Sequence, residues 1–207
     1  MNNKFLQIEN LTKKFDNKII SASFFAKKGE AVALLGNSGC GKTTVLKMIS
    51  GLVKPDSGSI ILNGEDITHR KAEQRNIGMV FQDYALFPHL TVEDNIAYGL
   101  VSKGMKKKYA RNEIKKWVEI FNLSGLEKRN PIFLSGGEKQ RVSLARSLAV
   151  NPELILFDEP LSALDTELRL KLQKELRSNQ QNLGYTAVYV THDKTEATFL
   201  ADRIITM

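Results

Sequence analysis

Gly36-Asn37-Ser38-Gly39-Cys40-Gly41-Lys42-Thr43 follows the apolar run Ala31 to Leu35 and precedes Thr44-Val45-Leu46-Lys47-Met48-Ile49-Ser50. A short apolar run ended by glycine reads as a buried strand. The residues after the eight read as a helix from about Lys42 to Ser50, stopped by Gly51 with Pro55 just beyond. The eight residues between them match G-x-x-x-x-G-K-[ST]. Glycines let a backbone fold closely around phosphate with successive N–H groups aimed inward. Lys42 can then reach β and γ oxygens, and the Thr43 hydroxyl can ligate Mg²⁺. The helix adds the positive end of its dipole at the anion. A glycine-rich turn that merely contained Lys and Thr would need neither the strand before it nor the helix after it.

Outward from this loop, the chain alternates strand and helix. Phe5 to Glu9, Lys18 to Phe25 and Ser59 to Leu62 read as short strands, the last followed by the turn pair Asn63-Gly64. Asn76 to Phe81 is another apolar strand ending at Gln82. From Val92 to about Val150 strand signals vanish, and the spacing of Ile114, Val118 and Phe121 suggests amphipathic helices. Leu154 to Phe157, Thr186 to Thr191 and Arg203 to Met207 restore the strand pattern, separated by helices at Asp165 to Asn182 and Asp193 to Asp202. Wholly apolar strands between helices imply a mostly parallel sheet covered on both faces. The expected architecture is one α/β domain over 1–207, with an antiparallel β layer near its start and a helical subdomain inserted at about 90–148.

A phosphate loop that uses Mg²⁺ needs an acid at the carboxyl end of a neighbouring strand, where ligands bind in open α/β sheets. Leu154-Ile155-Leu156-Phe157-Asp158-Glu159 supplies it. Asp158 is the candidate metal ligand. Glu159, next along, is placed to act as general base on a water.

Leu134-Ser135-Gly136-Gly137-Glu138-Lys139-Gln140-Arg141 opens another helix. Ser135 with Glu138 forms a capping box, which is sound local chemistry. It leaves unexplained two adjacent glycines in the first turn, each costing about 1 kcal/mol relative to alanine. They make sense if a backbone must approach something closely. A hydroxyl, bare N–H groups and a helix dipole make Ser135, Gly136 and Gly137 a second anion site. Two such helix starts but one metal-binding acid imply a dimer, with each nucleotide held between two chains.

Composition narrows the class. The 207 residues are 42% hydrophobic, enough for a real core. The lone Cys40 allows no internal disulfide and is expected to be only a small loop residue. The N-terminus lacks the apolar core of a signal peptide, and no apolar run approaches the roughly 20 residues of a membrane span. The expectation is a soluble intracellular domain that serves a membrane, if at all, through another chain. Net charge is +7, and the run Lys103 to Lys116, with seven cations and Glu113, carries nearly all of it. That concentration reads as a solvated helical face or a segment near an anionic leaflet, and argues weakly for nucleic acid.

Together these segments resemble the ATP-binding subunit of ABC transporters over nearly the whole chain. Gly36 to Thr43 and Leu154 to Glu159 resemble that family's Walker motifs, and Leu134 to Gln140 its signature. The resemblance implies a P-loop NTPase fold, with ATP and Mg²⁺ as the bound groups. It assigns Gly36, Asn37, Ser38, Gly39, Cys40, Gly41, Lys42, Thr43 and Thr44 to the nucleotide, and Thr43, Gln82 and Asp158 to the metal. Glu159, His192, Gln82 and Lys42 take the catalytic roles. Ser162-Ala163-Leu164-Asp165 resembles the D-loop linking two sites, His192 the switch histidine, and Phe15 the aromatic that stacks on adenine.

Tyr84 to Val92 resembles the permease-contact segment of bacterial importers for sugars, polyamines, sulfate, ferric iron, molybdate and thiamine. The implied function is ATP hydrolysis in a head-to-tail homodimer that powers a membrane permease. A solute-binding protein is the expected further partner, with no nucleic acid. The implied location is cytoplasmic, peripheral on the inner face of the cell membrane. Many members carry a C-terminal regulatory domain beyond the point where this chain stops, at a strand.

Two other classes compete. A non-transport ATPase of the nucleic-acid or translation type would want a longer, coiled-coil insertion than this one. A binding-only regulator would not need Glu159 and His192. The motifs do not encode the cargo.

Overall fold

Residues 4–162 and 164–207 are described by the computed structural model, and they form two compact units. The first comprises Met1–Met79, Glu153–Glu159 and Gln173–Met207; the second comprises Val80–Pro152 and Pro160–Leu172.

The first unit holds two sheets. The antiparallel one has the order β2-β1-β4-β5, from β1 (Leu6–Phe15), β2 (Lys18–Ala26), β4 (Ser57–Leu62) and the short β5 (Glu65–Asp66). β1 is longer than its sequence suggests because it continues through a bulge between Ile8 and Leu11, with Asn10 at φ 47°. The bulge brings backbone against β4 so closely that a Cβ on Gly58 would stand 2.4 Å from the Asn10 carbonyl oxygen. Only glycine fits there.

The second sheet has the order β6-β7-β8-β3-β9, with β3 (Ala31–Leu35), β6 (Ile77–Val80), β7 (Leu154–Asp158), β8 (Thr186–Thr191) and β9 (Arg203–Thr206). The pairs β7–β8, β8–β3 and β3–β9 are parallel. Every residue of β7 and β8 is buried, as expected of strands that are apolar but for Asp158, Thr186 and Thr191 at their ends. β8 lies between β3 and β7. The expectation that the acid-bearing strand adjoins the loop-bearing one is therefore corrected by one strand.

Helix α1 (Lys42–Ser50) sends Val45, Leu46, Met48 and Ile49 into a core shared with both sheets, including Leu6, Ile8, Val32, Leu34, Leu156 and Val190. Gly51 ends the helix at φ 84°. Beyond it, buried Arg75 donates to the carbonyls of Met48 and Ile49, both at 2.8 Å, and to those of Arg70 and Thr68 at 2.9 Å. The helix that begins at the phosphate loop is thus fastened at its far end by one guanidinium. α7 (Lys194–Leu200) packs on β3, β8 and β9, with Asp193 as its N-cap.

In the second unit, α2 (Val92–Ser102) packs on α3 (Lys107–Glu113) and on α5 (Gly136–Ala149), and α4 (Lys115–Ile120) packs on α3 and α5. α6 (Thr166–Leu183) starts in this unit and ends in the first. The basic run is only partly a solvated face. Lys107 pairs with Asp94 at 2.8 Å, and Arg111 pairs with Glu93 and Asp94 at 2.8 and 2.9 Å, while Lys103, Lys106, Lys108, Lys115 and Lys116 are exposed.

Candidate functional site

Parallel strands end on one side of a sheet, so the loops leaving β3, β7 and β8 open together there. The loop from β3 is Gly36 to Gly41. A Cβ on Gly36 would meet the Cys40 sulfur at 2.8 Å and the Met207 carbonyl oxygen at 3.0 Å, so the loop closes tightly on the end of β9. Gly41, at φ 114°, sits on Ile20 of β2; a Cβ there would be 2.7 Å from that side chain. Gly39, at φ 79°, faces open space.

Lys42 is buried at 4% exposure, with Nζ donating to the carbonyls of Gly36 at 2.7 Å and Asn37 at 3.0 Å. Its ammonium spans the loop from within. Lys18, from the start of β2, donates to the Gly39 carbonyl. A cavity of about 340 Å³ opens over the loop, with Phe15, Lys18, Ser38, Thr44 and Glu159 among its lining. That volume falls within the usual range for small-molecule sites, about 300–1,000 Å³.

The Thr43 hydroxyl donates to Asp158 Oδ1 at 2.6 Å. Burial pushes the Asp158 carboxyl above its usual range; the Thr43 hydrogen bond pulls it back, and neighbouring Glu159 pushes it further up. Glu159 leaves β7 on left-handed backbone, φ 45°, with its N–H on the Val190 carbonyl at 3.0 Å. Its Oε2 lies 3.2 Å from Nδ1 of His192, which follows β8 and is half exposed. The strand intervening between β3 and β7 therefore brings its own functional side chain to the site.

These groups suit a nucleoside triphosphate with Mg²⁺. The first-turn N–H groups of α1 have no acceptor within the helix and are suited to an anion, and Lys42 is a cation beside them. Thr43 and Asp158 offer two hard oxygens. Mg²⁺ commonly takes only one or two protein ligands and completes its shell with water and phosphate. Among the described residues, no group of three or more His, Cys, Asp or Glu is placed to hold a metal ion.

The structure brings Phe15, Gly36 to Thr44, Asp158, Glu159 and His192 together in the first unit. Gln82, Ser135, Gly136, Gly137 and Asp165 belong to the second. There, Gln82 Nε2 donates to Ser162 Oγ at 3.0 Å. Asp165 Oδ1 accepts from the Leu168 N–H at 3.0 Å, capping α6. Ala163, within the Ser162 to Asp165 segment, lies outside the described residues.

Ser135 is the N-cap of α5 in a full capping box. Glu138 Oε2 accepts from the Ser135 N–H at 2.7 Å and from its hydroxyl at 2.9 Å. That backbone N–H, above all, holds the Glu138 carboxyl below its usual range. The two glycines after Ser135 have a packing reason within the unit. A Cβ on Gly136 would be 2.9 Å from Leu164 Cδ2, and one on Gly137 would be 3.3 Å from Leu168 Cδ1. The sequence reading expected these glycines to let backbone approach an anion; the close neighbours found here are two leucines of the same unit.

Four contributors carry no signal in the sequence. Lys18 has no motif to announce it. Asn95, wholly buried on α2, exchanges hydrogen bonds with the Phe87 backbone and donates to the carbonyls of Leu90 and Thr91. Arg146 and Ser143, on α5, hold the carbonyls of Tyr84 and Ala85. Each acts on backbone, and backbone acceptors leave no residue-type signal.

Comparison with known proteins agrees with this chemistry. The family model described as ABC transporter matches residues 20–162. The Fe(3+) ions import ATP-binding protein FbpC of Brucella abortus (strain 2308) is 49% identical over 201 residues, covering 96% of this chain and 57% of that protein. The protein of the same name from Pasteurella multocida (strain Pm70) is 46% identical over 208 residues, covering 100% of this chain and 60% of that protein. The chain thus spans about three-fifths of these relatives' length. Two dimeric structures of the ATP-binding cassette MJ0796, one bound to ADP and Pi, superpose with TM-scores of 0.82 at 33% identity. Each match covers 98% of this chain and 94% of the other.

Proposed function

The chain belongs to the ABC transporter family, and from that premise we propose that it hydrolyses ATP to drive a separate membrane permease. Its own helices support the separation: among the described residues, none is long and apolar enough to cross a membrane. The single observation that carries the reading is the pairing of Thr43 with Asp158 at 2.6 Å beside Glu159 and His192 at 3.2 Å, at the mouth of the phosphate loop.

In this reading the loop N–H groups and Lys42 bind the β and γ phosphates, Lys42 exchanging its carbonyl acceptors for phosphate oxygens. Thr43 and Asp158 hold Mg²⁺, which when bound neutralises phosphate charge. Glu159 accepts the proton of the attacking water. His192, within reach of that carboxylate, orients it. Phe15, 49% exposed at the cavity rim, offers its ring face to adenine. Family resemblance, rather than geometry, assigns Gln82, Asp165 and a second copy's Ser135 to the same reaction.

The proposed assembly is a homodimer on the cytoplasmic face of a permease served by a solute-binding protein. The relatives' shared name supports ferric ion as cargo. Purified chain should release phosphate from ATP only with Mg²⁺, and Lys42→Ala should abolish the release. A chain that releases none, or a Lys42→Ala variant as active as the parent, overturns the reading.

A further inference from the structure

Gln82 is followed by an irregular segment of the second unit. Tyr84, at φ 63°, and Ala85, at φ 44°, are consecutive non-glycine residues in the left-handed region. Side chains resist that conformation, and it persists only where the surroundings enforce it.

The enforcement comes from α5. Arg146 donates one guanidinium N–H to the Ala85 carbonyl at 2.7 Å and another to the Tyr84 carbonyl at 3.0 Å. Ser143, three residues earlier, donates its hydroxyl to the same Tyr84 carbonyl at 3.0 Å. A planar fork suits two successive carbonyls as an ammonium cannot. The guanidinium also lies 5.4 Å from the centre of the Phe87 ring, which packs on Tyr98 at 4.4 Å. Burial pushes Arg146 below its usual range, and nearby Asp83 partly restores it. At the other end of the segment, Asn95 pins the Phe87, Leu90 and Thr91 backbone to α2. Ser135 caps the helix that bears Arg146.

We propose that Arg146 is a positioning residue that locks the left-handed turn after Gln82 to the helix that Ser135 caps, and so fixes where the Gln82 side chain is held. This deepens the ATPase reading above and rests on it.

The test uses Arg146→Lys and Arg146→Met in the full chain, with Ser143→Ala as a gentler cut should Arg146→Met not fold. Amide hydrogen exchange over 83–86 should quicken about tenfold in Arg146→Met while α1 is unchanged. Turnover should fall about 10- to 100-fold with KM for ATP within about twofold of the parent. Arg146→Lys should recover part of the turnover, because it keeps one donor of the fork. Unchanged exchange over 83–86 overturns the proposal, as does a variant whose KM rises while kcat holds. An inactive parent would overturn the ATPase reading instead. Active variants beside an active parent would overturn this proposal alone.

Discussion

Glu159 Oε2 stands 3.2 Å from His192 Nδ1, and Glu159 is held there on left-handed backbone at φ 45°. Such a conformation costs on the order of 1–3 kcal/mol in a non-glycine residue, so something must hold it. The Glu159 N–H on the Val190 carbonyl does, continuing the β7–β8 register one residue past the strand. Glu159 lines the cavity over the phosphate loop, while Asp158, one residue before it, is buried.

Glu159→Gln preserves this shape and removes the base. Hydrolysis should fall about 10²- to 10⁴-fold while ATP still binds. Light scattering should then find an ATP-trapped dimer. Near-normal turnover would remove Glu159 from the role of base.

The shared-site reading is tested by chemistry between copies. In a Cys40→Ala background, chains carrying Ser135→Cys should crosslink to chains carrying Ser38→Cys when ATP is present. Crosslinks that form equally without nucleotide, or within one chain, would leave each copy working alone.

Asp158 offers a pH test. Its folded-state pKa lies above the unfolded value of about 3.8, chiefly through burial. The folded state therefore binds its proton more readily, and this group's contribution to stability declines as pH rises from 3.8 through the raised folded value. Asp158→Asn keeps an oxygen for the Thr43 hydroxyl and removes the titration. Measured without Mg²⁺ or nucleotide, the variant should gain stability relative to the parent across that window and hold the gain at neutral pH. Mg²⁺-dependent hydrolysis should be lost. A relative gain by the parent as pH rises would contradict the assigned direction.

Arg75 carries the fold test. Arg75→Met keeps the buried bulk but takes the guanidinium donor from the carbonyls of Ile49, Thr68 and Arg70, and leaves Met48 with the Gly51 N–H alone. Unfolding in urea should show a loss of about 3 kcal/mol or more. A loss under about 1 kcal/mol would mean that the C-terminus of α1 is satisfied without it.

The strand–loop–helix at Ala31 to Ser50 was legible because its signals are local: an apolar run, glycines at fixed spacing, a lysine and a hydroxyl. The capping box at Ser135 was legible for the same reason, since its two partners are three residues apart. β1 was only half legible. Its continuation past Glu9 depends on Asn10 bulging against Gly58 of a strand far along the chain. The glycines at 136 and 137 did not announce their neighbours, since Leu164 and Leu168 are also remote in sequence.

Sequence by itself determined which residues can bind phosphate, metal and a proton, because those capacities belong to side-chain chemistry and short spacing. Tertiary structure decided the rest. It placed β8 between β3 and β7, so that His192 meets Glu159. It put Arg75 at the end of α1 and clamped Tyr84 and Ala85 with Arg146. Strand order is set by the packing of whole layers, and a guanidinium seeking backbone carbonyls finds acceptors that every residue carries alike. Neither choice leaves a mark in the order of the amino acids.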